Sequence, residues 1–142
     1  MRIQAQPAKL VLVAALAATA AQAASAAEED KLNRNLNDHI AYVASFMLPT
    51  LAPRCEAAFP GYTARTSPVF LRWLAINQEQ IERGRLLTMS EMKADESLHD
   101  YRQSLIAKRS AQLDSADAQG KQRVCEGIAG FIGGMTLPGQ WP

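Results

Sequence analysis

The sequence predicts an all-α fold: a small helical bundle of four main helices plus one short helix, clipped by one disulfide. Three observations predict it. Apolar residues recur at steps of three and four in several segments, no stretch alternates with period two for long enough to make a strand, and the chain has two cysteines, Cys55 and Cys125.

The 142 residues suffice for a single domain. Arg2 and Lys9 make a positive start, Leu10 to Ala21 form a short apolar run, and Ala21-Gln22-Ala23 and Ala24-Ser25-Ala26 are small-x-small sites. That pattern is a secretory signal peptide, so residues 1–26 are expected to be removed and 27–142 to form one helical domain with an irregular C-terminal tail. The apolar run is shorter than the ~20 residues a membrane-spanning helix needs. The expected address is periplasmic or secreted. Removing Arg2 and Lys9 from 15 Lys+Arg leaves 13 against 14 Asp+Glu, a balance that gives no electrostatic case for nucleic acid. In an oxidising compartment Cys55 and Cys125 are expected to pair, closing a loop of roughly 70 residues. No C-x-x-C is present and neither cysteine adjoins a histidine, which favours a structural over a redox role.

The first mature helix spans Glu28 to Leu48, where Leu32, Leu36, Ile40, Val43 and Met47 make an apolar stripe. Arg34, Asn37, Asp38 and Ala41 fall on its wet side, and Pro49 is expected to stop it. A short helix, Leu51 to Phe59, carries Cys55 between Pro49, Pro53 and Pro60-Gly61. Ser67 as N-cap before Pro68 starts the next helix, which presents Phe70, Trp73, Leu74, Asn77 and Ile81, pairs Glu79 with Arg83, and stops at Gly84. It is expected to supply the largest core side chains. Arg85 to Met89 connects to a long helix capped by Ser90, with Met92 or Leu98, Tyr101, Leu105, Ile106 and Leu113 inward. Its charges, Arg102, Lys108 and Arg109 among them, read as a solvated face. Asp114 or Ser115 caps the last helix, where Asp117 can pair with Lys121 and Val124, Ile128, Phe131, Ile132 and Met135 form the apolar side before Gly133-Gly134. The tail from Thr136 to Pro142, with Trp141, is expected to be irregular.

Chemistry-bearing groups are sparse. His39 and His99 sit on different helices, and adjacent helical residues such as Asp38 and His39 diverge by about 100°, so no metal site and no cofactor are indicated. There is no G-x-S-x-G, phosphate loop or H-E-x-x-H, and Glu79, Glu82, Glu91, Asp95 and Glu96 have the spacing of surface pairs. No catalytic residue is assigned; a hydrolase is the least favoured class. Trp73 and Asn77, four apart, form either a core aromatic with a backbone-bonded amide or a partner-facing patch. Gly127, Gly130, Gly133 and Gly134 each lower helix propensity by about 1 kcal/mol, which calls for close approach of another helix or for membrane contact through Phe131 and its neighbours.

The run Arg54-Cys55 through Phe59-Pro60, followed by Phe70, Trp73, Asn77 and Ile81, resembles that of uncharacterised small exported α-helical proteins of Proteobacteria. The resemblance implies a helical fold and a bacterial envelope, and no reaction. The expected function is therefore that of a small exported binding or interaction protein without enzymatic activity, its protein partner in the cell envelope unknown. Trp73, Asn77 and Phe131 are the candidate interaction residues. The alternative is a membrane-surface protein using the glycine-rich C-terminal helix.

Overall fold

Tyr42, Phe46, Met47, Leu51 and Cys55 follow one another at helical spacing, and they anchor the main core cluster of the protein. In the computed structural model the backbone is described for residues 9–133 and the side chains for residues 25–133. Five helices and no strand occur among the described residues: α1 (Lys9–Ala58), α2 (Tyr62–Ile76), α3 (Gln78–Glu91), α4 (Leu98–Ser115) and α5 (Ala118–Gly133). The irregular tail with Trp141 expected from the sequence, like Gly134 and Met135, lies outside the described residues.

Two units divide the chain, Met1–Leu36 and Asn37–Pro142. The described part of the first unit is helical, and its Leu32 and Leu36 are 68% and 55% exposed. These two leucines of the predicted stripe are thus exposed; in the second unit Met47 is buried and Val43 packs against the cluster. Ala41, placed on the wet side by the same reading, is buried.

In the second unit α1 does not stop at Pro49. It runs on through Pro49 and Pro53 to Ala58 and absorbs the short helix expected at Leu51 to Phe59. An internal proline forfeits one helix hydrogen bond and costs about 3 kcal/mol. Both prolines are exposed, however, and stand four apart, so water can reach the carbonyls they leave free. Around them, Ser45 Oγ donates to the Tyr42 carbonyl and Thr50 Oγ1 to the Phe46 carbonyl, each at 2.7 Å. Burial of Leu48, Leu51 and Cys55 on the inner side offsets the cost.

The start of α2 is set by long-range capping. Gly61 adopts φ 82°, a left-handed conformation that favours glycine, and turns the chain back. The Glu56 carboxylate then accepts hydrogen bonds from the Gly61 and Thr63 N–H groups, both at 2.7 Å. Those bonds, Thr63 first, hold the Glu56 carboxyl below its ordinary pKa. Ser67-Pro68 is thus inside α2 and does not begin it; Pro68 is exposed. The helix ends at Asn77, where backbone N–H and side-chain amide converge on the Trp73 carbonyl at 3.0 and 2.7 Å. Asn77 separates α2 from α3, so the single helix expected across this region is two.

Gly84 is in the middle of α3 and is not a stop. A Cβ there would collide with the Asp38 carbonyl and lie 2.9 Å from Tyr42 Cβ, so glycine permits α3 to lie against α1. Arg83 binds Asp38 through two hydrogen bonds, at 2.9 and 3.2 Å, in place of the salt bridge expected with Glu79. α3 continues through the predicted connection at Arg85 to Met89.

α4 begins at Leu98, not after Ser90. Ser97 Oγ accepts from the Asp100 N–H at 3.1 Å, an N-cap, and donates to the Asp100 carboxylate at 2.6 Å. The cap of α5 is Asp117, whose carboxylate accepts from the Gly120 N–H at 2.7 Å; this is the role it takes instead of pairing with Lys121. Along α1, His39 meets Tyr101, Phe46 lies under Arg102, and Arg54 pairs with Asp114, so α4 runs parallel to α1. α5 runs the opposite way, with Cys125 beside Cys55 and Ile132 against Ala44 and Leu48.

The Cys55–Cys125 bridge joins α1 to α5 with Cα atoms 5.7 Å apart. Tyr62 is fully buried beside it and donates its hydroxyl to the Cys125 carbonyl at 3.0 Å. The largest contribution of buried side chains comes from α1, not from the helix carrying Trp73.

Burial pushes the Tyr62 phenol from 10.0 up to about 12. A raised folded-state value means that its stabilising contribution is complete below pH 10 and is lost as pH rises towards 12. Tyr62→Phe is expected to cost about 1 kcal/mol at neutral pH. It should also flatten the fall in stability between pH 10 and 12, measured by urea unfolding at each pH. An unchanged alkaline slope would contradict the assignment.

Candidate functional site

The apolar residues of α1, α4 and α5 are not all consumed by the core. Between these helices lies an open groove of about 510 Å³, within the range typical of small-molecule sites. α1 contributes Ile40, Val43, Met47 and Leu48, α4 contributes Leu105, and α5 contributes Val124, Ile128 and Phe131. Phe131 is 44% exposed and forms part of the rim. Gly127 also lines the groove, and a Cβ built on it would meet nothing within 4 Å. No other helix comes close to the place of the missing side chain.

Polar groups occupy two places along α4. At Tyr101, the hydroxyl lies 3.2 Å from His39 Nε2, while His39 Nδ1 lies 3.1 Å from Thr88 Oγ1. Thr88 gives its own proton to the Gly84 carbonyl at 2.8 Å. Because the Thr88 proton is already given away, Thr88 Oγ1 accepts from His39 Nδ1–H. Burial raises the Tyr101 pKa, with smaller contributions in the same direction from Tyr42, Glu96 and Glu91. His39 thus has a protein partner at each ring nitrogen.

Two turns further along α4, Arg109 lines the groove. It donates to the Gln112 side-chain oxygen at 3.1 Å and makes no ion pair among the described residues. A guanidinium has five N–H donors, so most of its capacity is left for a ligand. Among the described residues it is the one permanently charged side chain of the lining.

The candidate residues Trp73, Asn77 and Phe131 divide. Trp73 is half-buried, its ring 6.0 Å from Phe70 and 5.6 Å from Phe131, and it packs against the smaller core cluster of Ala44, Leu48 and Ile132. Asn77 serves the backbone at the α2–α3 junction. Phe131 alone of the three reaches the groove, and it links the groove to Trp73. His99 is exposed on α4.

His39, Tyr101, Arg109 and Gly127 were not legible as one site from the sequence. Their common signal is apolar surface on three helices beyond what one core can absorb, and it needs the helix pairing to be read. Among the described residues no three His, Cys, Asp or Glu side chains converge as a metal site would require, and no described helix is long and apolar enough to cross a membrane. Compared with protein-family models, with curated proteins and with solved structures, the chain matches none.

Proposed function

We propose that the protein is a small exported binding protein without enzymatic activity, and that the groove between α1, α4 and α5 is where it binds. The observation that carries this reading is the open apolar groove, with Gly127 withholding a side chain from it. Export with loss of residues 1–26 is part of the proposal. The Cys55–Cys125 bridge supports it, since such bonds persist in oxidising compartments.

The test is fluorescence titration with the neutral apolar probe N-phenyl-1-naphthylamine. One probe per chain is expected to bind the oxidised protein. Gly127→Leu should weaken binding at least tenfold with the helical circular dichroism unchanged, because the new side chain enters open space. Gly127→Ala serves as the folding control and should be more stable by about 1 kcal/mol, the helix-propensity difference. Equal binding by the Leu variant would remove the groove from the account.

A membrane-surface role for α5 is the second reading. Exposed Phe131 and Val124 support it, although Cys125, Ala129 and Ile132 of the same helix are buried in the core. Co-sedimentation with vesicles that is lost in Phe131→Asp is the expected result under that reading.

A further inference from the structure

We infer that the groove takes a free single-chain carboxylic acid, its alkyl chain along α1 and its carboxylate on Arg109. This rests on the binding role proposed for the groove. The argument begins from the two polar places. His39 has a protein partner at each ring nitrogen and the Tyr101 hydroxyl is bonded to it, so that end presents mainly ring faces. Among the described residues Arg109 has one side-chain acceptor and no anion.

A ligand that complements both must be apolar at one end and anionic at the other. A planar guanidinium recognises a carboxylate through paired hydrogen bonds. Tyr101 and Arg109 are eight residues apart on α4, about 12 Å at the helical rise. That length and the volume of about 510 Å³ suit one extended chain of about ten carbons. The apolar lining includes Val43, Met47, Leu105, Val124 and Ile128.

The experiment is displacement of N-phenyl-1-naphthylamine from the oxidised full chain by decanoate and by decanol, both below their micelle concentrations. Decanoate is expected to compete at least tenfold better than decanol. Arg109→Gln should abolish that difference and leave competition by decanol unchanged. Affinity should also rise about fourfold per methylene from octanoate to decanoate. Equal competition by acid and alcohol would overturn the carboxylate assignment while leaving the groove as a binding site. So would an Arg109→Gln protein that keeps the preference. Phospholipid vesicles that displace the probe better than decanoate would overturn the free acid in favour of a membrane source. A wild-type protein that binds no probe would overturn this inference together with the reading beneath it.

Discussion

Cys55→Ala/Cys125→Ala is expected to lower the stability of the protein by on the order of 4 kcal/mol, because the bridge it removes closes a loop with a sequence separation of 70. For a domain of this size that corresponds to a drop in Tm of about 20 °C. The effect is large because of where the bridge lies. Both cysteines are fully buried in the same cluster as Tyr62, Leu51 and Leu113, at the meeting of α1, α2, α4 and α5. Calorimetry of the oxidised protein, the reduced protein and the double variant checks it. A midpoint that moves by only a few degrees would mean that packing alone holds α5 to α1.

The second large effect runs against helix propensity. Gly84→Ala would stabilise an isolated helix by about 1 kcal/mol. In this fold it is expected to destabilise by about 3 kcal/mol, since the added methyl falls on the Asp38 carbonyl, which is backbone and cannot turn aside. Displacing α3 from α1 would also stretch the Arg83–Asp38 ion pair and the hydrogen bond that Thr88 accepts from His39. Urea denaturation of Gly84→Ala beside Gly127→Ala is the check, with opposite signs expected. A stabilised Gly84→Ala would show that the two helices are not held in contact there.

The contrast between these two glycines shows what could be read from the sequence and what could not. Both are helical glycines with the same propensity cost. Only the packing separates Gly84, pressed onto a neighbouring backbone, from Gly127, facing open space. The all-α class and the Cys55–Cys125 pair followed from periodicity and cysteine count, which are properties of the chain itself. Helix boundaries followed less well wherever a partner distant in sequence decides them. Glu56 caps α2 from five and seven residues away, and so Tyr62, not Ser67, opens that helix. Pro49 and Pro53 would end a lone helix, yet α1 survives them because its inner face is buried from Ala41 to Cys55. Ser97 with Asp100 and Asp117 with Gly120 were local capping signals passed over, the first behind the stronger-looking Ser90 and the second behind Asp114 and Ser115. Arg109 read as a solvated charge because nothing in its own helix distinguishes it from Lys108. Its place beside the groove depends on α5 returning antiparallel to α1, which the bridge and the packing of Ile132 on Ala44 and Leu48 together define.

The most direct test of the binding groove is methyl NMR of the oxidised protein during titration with decanoate. Shifts are expected at Met47, Leu105, Val124 and Ile128, which line the groove. None are expected at Leu71 and Ile76, which are 65% and 74% exposed on α2 and lie outside it. Shifts of equal size at Leu71 and Ile76 would mean adsorption to exposed apolar surface, and the groove would then have no claim to be the site.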